Sequence, residues 1–115
     1  MSNILVTDDE KSILDLVKTS LNRFGYNVEM AVDGKDGIEK FERSLFDIVI
    51  TDINMPNIDG NGVAQYIRKS KRQGTPIIAI TGTPWLVEAK AVDFNTVLHK
   101  PFTIQSLVDT VKDFT

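Results

Sequence analysis

The chain has 115 residues, 42% hydrophobic and 25% charged, with a formal net charge of −3 and no cysteine. That length supports one domain core but not two, so a single domain over residues 1–115 is expected. Composition suggests neither the disordered nor the membrane class, and without thiols there is neither a disulfide framework nor a thiolate metal centre. No apolar run approaches the roughly 18 residues of a membrane helix. The opening MSNILV lacks the basic and long apolar regions of a secretory signal, so a cytoplasmic location is expected. The one local basic cluster, RKSKR at 68–72, reads as a solvated helix end whose cations suit the C-terminal dipole, and no nucleic-acid partner is expected for this domain.

In chain order, the first apolar run is NILVT (3–7), a strand. Ile13, Val17, Leu21 and Phe24 then recur at helical spacing, with Gly25 as a stop. VEMAV (28–32) is the second strand, and Ile38, Phe41 and Leu45 mark a helix after Asp33-Gly34. DIVIT (47–51) is the third strand. Val63 and Ile67 mark a helix after Asp59-Gly60, which reads as turn and cap. PIIAIT (76–81) is the fourth strand. Thr83-Pro84 caps a run reaching to about Phe94. TVLH (96–99) is the fifth strand, and Thr103 precedes Ile104, Leu107, Val108 and Val111, a closing amphipathic helix. Strand and helix alternate five times, and the middle strands are continuously apolar. Both features predict an open parallel sheet with helices on both faces. In such sheets ligands bind beyond the carboxyl ends of the strands.

Polar residues gather at those ends: Asp8 and Asp9 after the first strand, Asp52 after the third, Thr81 at the fourth and Lys100 at the fifth. Two carboxylates about 4 Å apart repel by roughly 1 kcal/mol in water and about 4 kcal/mol at a protein surface, so three in one crevice call for a cation. Oxygen donors without histidine or cysteine favour a hard divalent ion, Mg²⁺ above all. A lysine beside such an ion fits when an anion lies between them, and phosphate is the obvious one, with the Thr81 hydroxyl as a further partner. A carboxylate can itself be the nucleophile of phosphoryl transfer, and Asp52 is the central one. By itself Asp9 reads as an N-cap for a helix opening at Glu10, and Glu10 as a first-turn acid.

These residues fall in four stretches, TDDE (7–10), DIVITDINMPNIDG (47–60), TGT (81–83) and KPF (100–102), and in them the chain resembles the receiver domain of two-component response regulators. The resemblance implies a flavodoxin-like, CheY-like, doubly wound sheet of five parallel strands in the order 2-1-3-4-5 with five helices. It implies that Asp52 accepts a phosphoryl group from a histidine kinase or histidine phosphotransfer protein. Asp9 and Asp52 would ligate Mg²⁺ directly, Asp8 through a metal-bound water, and Asn54 through its backbone carbonyl. Thr81 and Lys100 would hold phosphoryl oxygens, Gly82 would leave room for the group, and Pro101, after a bond commonly cis in the family, would orient the lysine. The domain would phosphorylate and dephosphorylate only itself, and signal to a downstream protein or an effector domain C-terminal to residue 115.

Two departures stand out. Family members usually carry an aromatic residue three positions before the lysine, where this chain has Val97. The stretch from Thr81 to Lys100 is about one helical turn short, with DFNTVL leading into the last strand, so the fourth helix is expected to be short or irregular. Trp85 in that stretch is read as a cover for it. The usual output surface, made by the fourth helix, fifth strand and fifth helix, is accordingly less standard. Met55 and Pro56 are read as turn-shaping, Phe102 as packing, and His99 as facing away from Lys100. Two rival functions share these residues: a receiver-like module that docks partners without phosphorylation, and a small-molecule phosphatase, against which Asn54 stands where a general acid would be needed.

Overall fold

A computed structural model describes residues 2–82 and 94–115. The elements are β1 (Asn3–Thr7), α1 (Lys11–Arg23), β2 (Asn27–Ala31), α2 (Gly34–Arg43), β3 (Ile48–Asp52), α3 (Gly60–Arg68), β4 (Ile77–Thr81), β5 (Thr96–His99) and α4 (Ile104–Lys112). All pairings are parallel and the strand order is β2-β1-β3-β4-β5. This is the expected flavodoxin-like sheet. The further helix expected to open at Thr83-Pro84, and Trp85 with it, lie outside the described residues.

Two apolar layers follow from the alternation of side chains along each strand. Ile4, Val6, Ile48, Ile50, Ile78 and Ile80 face one way and pack under Leu14, Val17 and Leu21 of α1 and Leu107, Val108 and Val111 of α4. Leu5, Val49, Ile77 and Ala79 face the other way, under Phe41 of α2 and Val63, Ala64 and Ile67 of α3. The core strands β3 and β4 are buried at every residue.

Several helical positions differ from the expectation. In α1 the inward position is Leu14, while Phe24 is half exposed at the C-cap, where the Lys112 ammonium lies 5.5 Å from its ring centre. In α2 the helix ends at Arg43, so Leu45 falls beyond it and is exposed. Ends are set by the turns. Gly25 takes φ 90°, a conformation that costs glycine little, and side-chain caps come from Asp33, Asp59 and Thr103, the last in a reciprocal capping box with Ser106. The cluster RKSKR is partly structural. Arg72 donates to the carbonyls of Ser44, at 2.5 Å, and of Phe41, and stacks on the Phe41 ring, closing the C-terminal end of α2.

Candidate functional site

The parallel register puts the carboxyl ends of four strands along one edge. Thr7 of β1 lies beside Thr51 of β3, Asp52 beside Ile80 of β4, and Thr81 beside His99 of β5. β3 runs one residue further than its apolar run, so Asp52 is a strand residue, almost fully buried. What keeps it there is Gly60, the first residue of α3, whose N–H donates to the Ile53 carbonyl at 2.9 Å. A Cβ at Gly60 would collide with the Asp52 carbonyl oxygen and lie 2.8 Å from the Ile53 Cα. The Asp59-Gly60 pair is thus an N-cap followed by a residue that must lack a side chain.

Asp8 extends the β1–β2 ladder by one residue, its N–H donating to the Ala31 carbonyl at 3.1 Å, and its carboxylate is wholly buried. Both of its oxygens are used. Oδ1 accepts the Glu10 N–H at 2.9 Å, and Oδ2 accepts the Lys100 ammonium at 3.0 Å. The first of these bonds is an Asx-type turn that folds the chain back over Asp8. It makes Glu10 the N-cap of α1 by backbone position, without a side-chain cap bond. The expected roles of these two acids are therefore corrected. Asp9 is not the cap; it is exposed in the turn. Glu10 is not a first-turn acid; its carboxylate is released toward the cleft and stands 3.6 Å from the Lys100 Nζ. The turn, a short-range i to i+2 pattern written in the succession Asp8, Asp9, Glu10, was the available signal.

Lys100 closes the arrangement. Its backbone N–H donates to the Thr81 carbonyl at 2.8 Å, and the Lys100–Pro101 bond is cis. The ammonium lies 3.0 Å from Asp8, 3.5 Å from Asp52 and 3.6 Å from Glu10. Thr81 is buried at the end of β4. Gly82 opens onto the same space: the nearest atom a Cβ there would meet is the Lys100 Cβ at 4.0 Å. Asn54 is exposed in the β3–α3 loop, while Met55 is buried in the second core layer and shapes that loop from within. Val97 pairs with Ala79 and packs against the second layer, half-buried, and His99 is exposed. Phe102 packs against the first layer.

Burial, and then the charge of Asp8, push the Asp52 carboxyl from its ordinary 3.8 up to about 6, against the pull of Lys100. Burial likewise raises Asp8. For Lys100, burial opposes the charge, but the hydrogen bond it donates to Asp8 and the fields of Asp8, Asp52 and Glu10 outweigh it, and the ammonium is held above its ordinary range. Carboxylate oxygens of Asp8, Glu10 and Asp52 all lie within 4.8 Å of one another. Three carboxylates against one ammonium leave two negative charges, and every donor is a hard oxygen. That set suits a small divalent cation such as Mg²⁺. Among the described residues no helix is long and apolar enough to cross a membrane.

The comparisons with known proteins agree with this geometry. The model of the response regulator receiver domain matches residues 4–112. Response regulator ArlR of Staphylococcus saprophyticus is 31% identical over 115 residues, which cover 97% of this chain and 51% of that protein, so the chain spans about half the length of this relative. Chemotaxis response regulator CheY4 of Vibrio cholerae superposes with a TM-score of 0.92 at 33% identity, covering 100% of this chain and 99% of that one. Response regulator TrrA of Thermotoga maritima, solved in complex with Mg²⁺-BeF, superposes with a TM-score of 0.92 at 34% identity over 100% of both chains. The chain belongs to the response regulator receiver domain family.

Proposed function

We propose that this domain is a phosphoacceptor switch in which Asp52 takes a phosphoryl group from the phosphohistidine of a histidine kinase or histidine phosphotransfer protein. The observation that carries the reading is the convergence of one nearly buried aspartate, two further carboxylates and one lysine at the carboxyl edge of the sheet. An Asp52 oxygen forms the new bond to phosphorus while the bond from phosphorus to the imidazole nitrogen breaks. The leaving imidazole keeps the electron pair and takes up a proton. With a carboxyl value near 6, Asp52 is mostly ionised at neutral pH and able to attack.

Asp8 and Asp52, with Asp9 in the adjoining turn and the Asn54 carbonyl, would hold Mg²⁺, and Glu10 adds a carboxylate at the mouth of the cleft. When bound, the ion supplies the positive charge that lets an anionic phosphoryl group approach a cluster of acids. Lys100 neutralises the phosphoryl oxygens as a point charge, which requires its ammonium to turn from Asp8 toward the incoming group. The Thr81 hydroxyl is the second partner for those oxygens, and Gly82 leaves space beside them. The modified Asp52 then competes for Lys100 and Thr81 and shifts a two-state equilibrium of the β4–β5–α4 region, with Val97 in place of the aromatic residue usual in the family. The output passes to a downstream protein or an effector domain.

Intact-mass measurement tests the reading. The protein incubated with acetyl phosphate and Mg²⁺ gains one phosphoryl group, with none in chelator and none in Asp52→Ala. An unmodified wild type, or a modified Asp52→Ala, would sink it.

A further inference from the structure

Lys100 is delivered by the shortest strand described in the sheet. β5 has four residues, borders only β4, and its first three residues are half-buried. A slip of one residue in strand pairing turns every side chain to the opposite face, and a short strand with one neighbour has few bonds to prevent it. The position of the Lys100 ammonium therefore depends on where β5 begins.

That beginning is fixed by a side chain. The Asn95 N–H donates to the Ile77 carbonyl at 2.8 Å, and the Asn95 Oδ1 accepts the Ile77 N–H at 2.8 Å. One asparagine thus engages both main-chain groups of the first residue of β4, which is wholly buried. The same Oδ1 accepts Arg68 Nη2 at 2.8 Å, and Arg68 Nη1 donates to the carbonyls of Gln73, at 2.7 Å, and Thr75, at 2.6 Å. The guanidinium ties the end of α3, the connection to β4 and the start of β5 into one unit. At the other end of the strand, the Lys100 N–H to Thr81 carbonyl bond completes the bracket.

We propose that Asn95, held by Arg68, is a positioning residue for Lys100: it sets the register of β5 so that the strand ends with the ammonium against Asp8 and Asp52. This gives a role to the asparagine of DFNTVL and to the first residue of RKSKR, two stretches outside the acidic cleft. A clamp at the start of the strand is needed here because a buried N–H without an acceptor is costly, and Asn95 supplies the acceptor that a small apolar residue would lack.

The consequence separates two quantities that general damage would move together. The Lys100 ammonium competes with a divalent ion for Asp8 and Asp52, yet assists phosphoryl transfer. Displacing it in Asn95→Ala should slow phosphoryl acceptance from acetyl phosphate at saturating Mg²⁺ by about a hundredfold or more, since a misplacement of only about 1 Å already costs on that order. Mg²⁺ affinity, titrated calorimetrically, should at the same time tighten by about fivefold as the competing charge leaves. Asn95→Asp keeps the acceptor oxygen and should restore both values to within about twofold of wild type. Arg68→Ala, which removes the anchor and leaves the Asn95–Ile77 pair, is the second variant and should move both quantities in the same two directions. Wild-type rate and affinity in folded Asn95→Ala would overturn the proposal, as would joint loss of both in Asn95→Ala and Arg68→Ala. The rate arm rests on Asp52 as phosphoacceptor; a wild type that takes no phosphoryl group refutes that reading, while the Mg²⁺ comparison still decides the clamp.

Discussion

Replacing Asp52 by its neutral isostere, Asp52→Asn, should stabilise the metal-free protein. Asp52 titrates near 6 in the folded chain against 3.8 ordinarily, because burial and Asp8 disfavour its charge more than Lys100 favours it. Between those values the folded state binds more protons than the unfolded one, so the contribution of Asp52 to stability falls as pH rises and is fully lost above about 6. At 1.36 kcal/mol per pH unit, the ionised group costs up to roughly 3 kcal/mol at pH 7.5. Screening at the open side of the cleft and the imperfect bonding of the new amide reduce the expected gain to about 2 kcal/mol, a rise in Tm of about 8 °C. Urea unfolding in chelator measures it. The gap should close as the pH is taken below about 4, where the wild-type carboxyl becomes protonated in both states. It should also narrow on adding Mg²⁺, since an ion at ten times its Kd returns about 1.4 kcal/mol to the wild type. An Asp52→Asn variant no more stable than wild type at pH 7.5, or a gap that does not change with pH, would refute the electrostatic account.

Three further substitutions probe the supports of the site. Gly60→Ala forces a methyl group against the Asp52 carbonyl and should cost about 2–3 kcal/mol in urea unfolding; a loss under about 0.5 kcal/mol would show that the close approach is not needed. Lys100→Met removes the counter-charge from Asp8 and Asp52, so calorimetric Mg²⁺ affinity should rise by about fivefold while phosphoryl acceptance nearly ceases, and equal acceptance in the variant would exclude the lysine from the reaction. Thr103→Ala removes the hydroxyl that accepts the Ser106 N–H, leaves the residue-103 N–H to donate to the Ser106 hydroxyl, and should lower stability by about 1 kcal/mol at every pH tested, with no effect on the mass gain at Asp52.

Much of the fold was legible because its signals are local. Continuous apolar runs mark strands buried on both faces, and Asp33, Asp59 and Thr103 announce helix starts by chemistry that acts within one turn. Leu45 and Phe24 misled because helical spacing continues past the residue where the backbone stops, and a period carries no information about where a turn cuts it. The convergence of Asp8, Asp52 and Lys100 could be read from strand ends alone, since a parallel sheet must bring those ends together. Glu10 could not. Its place depends on a hydrogen bond between its own N–H and a side chain two residues earlier, a choice the helix-dipole argument does not see. Arg68 and Asn95 were hidden for another reason: they lie 27 positions apart, and their contact exists only once α3 and β5 are docked on the same strand.

The cleft can be understood as a balance held off its electrostatic optimum. Asp8 and Asp52 are both pushed toward protonation by burial, and the only cation facing them among the described residues is Lys100, shared three ways with Glu10. One ammonium cannot neutralise three carboxylates, so two negative charges remain for a divalent ion to meet. A divalent ion held there would neutralise Asp8 in place of the lysine and leave the ammonium available to an incoming anion. On the proposed function, the charge that costs the fold stability would favour a metal, and the metal would leave Lys100 to the phosphoryl group. On that reading, stability, metal binding and phosphoryl acceptance all depend on the same three distances around the Lys100 Nζ, and a change at the far end of β5 that moves this atom should alter all three.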